Sequence, residues 1–296
     1  MYLGAWFTDS GIISDVIALH ETSNQATVNK FAIFCAVNKQ MPFRFKKLVF
    51  DAAVTASLLY SAESWLSCNI KPVEKQYNQL IRCLLGVRKN TSIELCLVEA
   101  GIPPIHHVLA KRRQRFIESK MVSNDPDHPF TFVLRLLSDN NIPIYQFISH
   151  ALQFDTNSNP FSNLKTVINE KSVNRTKFNT YVSKLNTPLT IHPIYLTSAY
   201  IPDFQREAFS RIRLMSHRLK IETGRWSRIL HERRVCQCND SHPQTEEHVL
   251  MDCHLSEAIR NQYPLLDFTS IHTLLSEATH MNSLCKYVHE ILCFYK

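Results

Sequence analysis

The sequence predicts a mainly α-helical chain, and two observations carry that reading. Only five of its 296 residues are glycine, and apolar side chains recur at three- and four-residue spacing over long stretches. That texture favours helices over a sandwich or an open doubly wound sheet. Hydrophobic residues make up 45% of the chain and aromatics 10%, enough to build a core. The length suits one large domain or two modest ones.

The run Met1–Thr8 (MYLGAWFT) is short, aromatic and apolar, with the character of a terminal strand. Residues 14–38 are predicted helical, with Val16, Leu19, Val28, Phe31, Phe34 and Cys35 on the buried side. Pro42 stands at the first-turn position of a second helix, in which Phe45, Leu48, Val49, Ala52, Ala56, Leu59 and Tyr60 keep helical spacing. Pro72 opens a third, with Val73, Tyr77, Leu80, Ile81 and Leu84 on one stripe and Gly86 just past its end. A shorter helix over Ser92–Ala100 is stopped by Gly101 and the Pro103-Pro104 pair. Another, Ile105 to Met121, sets Lys111, Arg112, Arg113 and Arg115 beside an apolar side.

From Ser123 to Ala199 short amphipathic pieces (Phe130–Leu137, Tyr145–Leu152, Lys177–Leu185) alternate with Asn, Ser, Asp and Pro, which reads as a helical connector. Arg206–Ile221 returns to a helical pattern, with Phe209, Ile212, Met215 and Leu219 facing inward. Gly224 is expected to break that helix and to leave Arg225, Trp226 and Arg228 in the turn that follows.

Charge is unevenly placed. The segment Arg206–Arg234 holds nine Arg/Lys against three Glu, whereas Val235 onward holds three basic and eight acidic residues. A basic block followed by an acidic tail suggests a polyanionic partner at one face; a solvated helix face is the plainer alternative. No apolar run is long enough to span a bilayer. Met1–Ser10 lacks the basic start of a signal peptide, so the expected location is intracellular, with reduced cysteines. Nine cysteines, an odd count, also suit a disulfide framework poorly.

Four residues then form a metal-ligand pattern. Cys236-Gln-Cys238 is followed after nine residues by His248 and after four more by Cys253. Zinc takes four tetrahedral Cys or His ligands in closed structural sites, and the polar stretch Cys238–Gln244 has little else to hold it. The alternative is a pair of reduced core cysteines near a structural histidine; His242 and His254 are substitute ligands. A regular helix would place His248 and Cys253 imperfectly, so it must fray or end between them. With all four positions filled by protein, the expected zinc is a structural staple rather than a catalyst.

Four stretches stand in a definite order: Tyr2-Leu3-Gly4 with Phe7-Thr8 and Gly11; Pro42 through Trp65 (PFRFKKLVFDAAVTASLLYSAESW); Leu84-Leu85-Gly86-Val87-Arg88 with Glu99-Ala100-Gly101-Ile102-Pro103-Pro104; and Arg213 through Cys253. That order resembles the C-terminal portion of the reverse transcriptases encoded by non-LTR (LINE-type) retrotransposons, with Ser61 where the family usually has Gly. The resemblance implies a remnant of the polymerase palm at 1–9, a thumb-like helical domain at 10–122, a helical connector at 123–200, and a basic helix, CCHC zinc knuckle and terminal helices at 201–296. It implies RNA and/or DNA as partner, as template–primer or target DNA, and nuclear and cytoplasmic residence. It makes Arg112, Arg113 and Arg115 thumb-side backbone contacts and puts Arg213, Arg218, Arg225 and Arg228 in the basic segment.

The family activity is RNA-directed DNA synthesis, which needs paired aspartates to hold two metal ions about 4 Å apart. No two aspartates are adjacent anywhere in the sequence; Asp51 and Asp203 read as surface or cap residues. The expectation is a nucleic-acid-binding chain that does not polymerise alone and begins after the family's catalytic turn. Trp226 can stack on an unpaired base or pack the knuckle against the helix before it. A zinc-stabilised helical scaffold for protein interaction is the competing function.

Overall fold

The computed structural model describes residues 13–65, 70–120, 129–140, 148–149, 153–155, 158–186, 189–238 and 241–295. The run Met1–Thr8, with the palm-like segment it was assigned to, and most of Tyr145–Leu152 lie outside them. The described residues are mainly helical and contain no strand, only an isolated antiparallel bridge between Val235 and Pro243. No single described helix is long and apolar enough to cross a membrane. The principal helices are α1 (Ile13–Val37), α2 (Phe43–Val49), α3 (Lys71–Leu85), α4 (Ile93–Ala100), α5 (Ile105–Lys120), α6 (Pro129–Asp139), α7 (Ser162–Asn174), α8 (Thr176–Thr180), α9 (Asp203–Arg213), α10 (Lys220–Trp226), α11 (Ile271–Leu275) and α12 (Met281–Phe294). Helix α7, within the connector, was not singled out in the sequence.

Two compact units form, each discontinuous in sequence. One takes the described parts of Met1–Phe31, Phe50–Asn78 and Pro103–Ser162; the other takes those of Ala32–Val49, Gln79–Ile102 and Asn163–Lys296. Neither coincides with a contiguous segment read from the sequence.

In the first unit the buried stripe of α1 differs from the apolar one. Ile17, His20, Asn24, Val28 and Phe31 are buried, whereas Leu19 is 42% exposed. Polar residues hold inward positions because they find partners: His20 bonds the Leu58 carbonyl at 2.9 Å and Asn24 accepts from the Ser57 hydroxyl at 2.9 Å. Burial keeps His20 below its usual pKa, so the neutral ring is the one that packs against Trp65 at 4.8 Å. Trp65 is buried, as expected. Ser61 sits at φ 59°, in the left-handed region, where a residue with a Cβ costs roughly 1–2 kcal/mol and glycine costs nothing.

The second unit corrects three expectations. On α2 the inward residues are Phe43 and Lys46, while Phe45 and Leu48 face out. The reason is an ion pair: the Lys46 ammonium donates to Asp203 at 2.5 Å and to the Cys35 carbonyl at 2.9 Å. Asp203 is thus wholly buried rather than a surface residue; Asp51 does remain exposed. Nor does Gly224 break a helix. It lies inside α10, where an added Cβ would come within 2.6 Å of Arg234. The break falls earlier, at Met215 with φ 48°.

Arginines from α9 finish the C-terminus of α3, whose last carbonyls have no partner within the helix. Arg206 donates to the carbonyls of Leu84 at 3.0 Å and Leu85 at 2.8 Å, and Arg211 to that of Gly86 at 2.7 Å. Gly86 itself has φ 69°, as a residue past a helix end often does.

Candidate metal centre and nucleic-acid interface

The backbone around Cys236 is a tight loop. The Cys236 N–H donates to the His242 carbonyl at 2.8 Å, and the Gln244 N–H donates to the Arg234 carbonyl at 2.8 Å. This loop carries Cys236 and Cys238 into the interior, where both are buried. The other two candidate ligands come from a widened turn. In an α-helix, residues five apart lie about 140° from alignment, because five residues turn the chain by about 500°. Residues His248–Asp252 instead form a π-helical turn, closed by the Cys253 N–H donating to the His248 carbonyl at 2.8 Å. A five-residue repeat returns the chain to one face, so His248 and Cys253 meet.

The ligand atoms of Cys236, Cys238, His248 and Cys253 all lie within 4.8 Å of one another, and all four residues are buried. Cys236 and Cys253 sulfurs are 3.9 Å apart, and the Cys238 sulfur is 3.3 Å from His248 Nε2. Sulfurs bound to one tetrahedral ion at about 2.3 Å stand about 3.8 Å apart. The cluster could therefore hold a metal ion. His254 is exposed and His242 stacks on His248 at 5.6 Å; neither belongs to the cluster.

The arginines divide sharply. Arg213 is 2% exposed and its guanidinium grips Glu99, with Nε at 2.6 Å and Nη2 at 3.1 Å from the carboxylate. Its Nη1 donates to the carbonyls of Leu185 and Leu275 at 2.6 and 3.1 Å. The expectation that Arg213 contacts nucleic acid is thus corrected: its charge is spent inside the protein. Arg112 donates to the Leu59 carbonyl at 2.9 Å and Arg113 to that of Trp65, so of the α5 trio only Arg115 is exposed. Arg225 pairs with Glu222 at 2.8 Å.

Arg218, Arg228 and Arg233 are exposed. Trp226 is 48% exposed, and the Arg88 guanidinium lies 3.8 Å over its ring. Arg88 and Arg211, neither of them among the expected nucleic-acid contacts, line one cleft with Arg218. A legible signal existed for Arg206 and Arg213: with Phe209 they fall at i, i+3 and i+7, the apolar stripe of α9, where a charge must find a buried partner.

No protein-family model matches this chain, and neither does any curated protein or solved structure.

Proposed function

We propose that this chain is the nucleic-acid-binding C-terminal portion of a non-LTR retrotransposon reverse transcriptase, held at its C-terminal end by one structural zinc ion. The observation that carries the reading is the closed set of three cysteines and one histidine directly behind an arginine-bearing segment. Three thiolates and an imidazole are zinc's preferred donors, and a filled tetrahedron leaves no position for a substrate. The chain's own part is then to fix the turn that follows Arg228 and Arg233, so that cations and the Trp226 ring are presented together. Neutralising phosphates releases counterions, which gives affinity without sequence preference. Two further features support the family reading. The buried Leu58, Leu59 and Trp65 occupy the thumb-like motif, and Ser61 adopts the backbone conformation that suits the glycine usual there.

Native mass spectrometry of the purified chain tests the first part: one zinc per chain is expected, and none in Cys253→Ser. Fluorescence anisotropy with labelled single-stranded oligonucleotides tests the second, and affinity should fall steeply with salt. A metal-free chain whose fold ignores chelator would remove the zinc site, and salt-insensitive or absent binding would favour the protein-interaction scaffold.

A further inference from the structure

The turn after α3, the α9 side chains and the turn before α10 enclose a cleft of about 400 Å³, floored by Leu292 and Tyr295. Arg88, Arg211 and Arg218 line it, and among the described residues no Asp or Glu does. The three cations come from separate parts of the chain, and two of them are held in place. The Arg88 backbone N–H donates to Ser216 Oγ at 2.9 Å, and its guanidinium is braced on Trp226. Arg211 is tied to the Gly86 carbonyl at 2.7 Å and to Glu207 at 3.1 Å. Arg218 follows the turn at Ser216 and is exposed.

This arrangement is unfavourable without an anion. Burial lowers the Arg88 pKa from its ordinary value; Glu222 opposes that, while the charges of Arg218 and Arg211 lower it further. The Arg88 Nη2 donor is buried with no hydrogen-bond partner, and a buried donor left unmatched costs about 1–3 kcal/mol, more when charged. Three guanidinium-bearing residues lining one cleft suit an oxyanion that accepts several charge-assisted hydrogen bonds.

We propose that this cleft is a phosphate-binding site that takes a backbone phosphate of a nucleic-acid strand. Its chemistry follows from the cleft alone; the nucleic-acid source rests on the function proposed above. A tetrahedral phosphate supplies acceptors to Arg88, Arg211 and Arg218 together and relieves the repulsion among them.

The test measures binding of a labelled single-stranded oligonucleotide to the full chain, and separately of inorganic pyrophosphate by titration calorimetry. Arg88→Gln, Arg211→Gln and Arg218→Gln are compared with Lys30→Gln, an exposed cation of α1 that does not line the cleft. Arg218→Gln breaks no internal bond, so it reads out even if the other two variants fold poorly. Each cleft variant is expected to weaken oligonucleotide binding roughly tenfold and to reduce the slope of log affinity against log salt by about one, as loss of one phosphate contact does. Lys30→Gln should stay within about twofold of wild type. Oligonucleotide binding by wild type that is equally strong in all cleft variants would overturn the cleft and leave the nucleic-acid reading standing. If wild type bound no oligonucleotide, the nucleic-acid source would fail; pyrophosphate bound by wild type and lost in the variants would then uphold the phosphate chemistry with a free anion, and no pyrophosphate binding would overturn the site altogether.

Discussion

Helix α9 and the segment that follows it have similar arginine content and opposite uses of it. In α9, Arg206 and Arg213 are buried, one closing the C-terminus of α3 through Leu84 and Leu85, the other clamped on Glu99. Between residues 218 and 233, Arg218, Arg228 and Arg233 face solvent. A count of charges along the chain cannot separate these cases. What separates them is whether the helix repeat places the cation on the apolar stripe, where desolvation must be met by a carboxylate and carbonyls. A basic segment can therefore be buried in the fold at one end and open to solvent at the other.

The largest expected effect comes from the inner end. Glu99→Gln leaves Arg213 buried without its counter-charge, and chemical denaturation should register a loss of about 3–5 kcal/mol. A loss below about 1 kcal/mol would break the distinction between inner and outer arginines. Gly86→Ala comes next, because it places a Cβ at φ 69° and within 2.4 Å of the Glu207 side chain that holds Arg211. The expected cost is about 1–3 kcal/mol by the same measurement.

His192 offers a pH test of the inner charge. Burial first, and the Arg213 charge second, bring its pKa down from 6.5 to about 3. Between those two values the unfolded chain binds the proton and the folded chain does not, so stability falls as pH is lowered through that window. One such group contributes at most about 1.4 kcal/mol per pH unit. The His192 Nδ1 accepts from the Ile194 N–H at 3.1 Å, a bond asparagine can retain, so His192→Asn should flatten the acid limb of urea unfolding midpoints between pH 6.5 and 4. Parallel curves for variant and wild type would contradict the assignment. The smallest effect belongs to the outer end, where Arg233→Gln should shift stability by no more than about 0.5 kcal/mol in denaturation.

Much of this was legible in the sequence where side-chain type and position agreed. The α3 stripe Val73, Tyr77, Leu80, Ile81 and Leu84 is buried throughout, with Gly86 just past its end. The ligand set Cys236, Cys238, His248 and Cys253 was legible as spacing, and so was the objection that a regular helix cannot align the last two. The remedy, a π-helical turn over His248–Asp252, has no sequence mark of its own. The faces of α1 and α2 were misread wherever a polar residue points inward: His20, Asn24 and Lys46 each depend on a partner distant in sequence, Leu58, Ser57 and Asp203 respectively. Periodicity scores hydrophobicity, and a satisfied buried charge carries the wrong sign.

The claim that the outer arginines hold nucleic acid while the inner ones hold the fold is tested most directly by one triple variant. Arg218→Glu, Arg228→Glu and Arg233→Glu together should abolish measurable oligonucleotide binding in anisotropy at moderate salt while leaving the thermal midpoint near that of wild type. Unchanged binding by the reversed, folded protein would contradict the account.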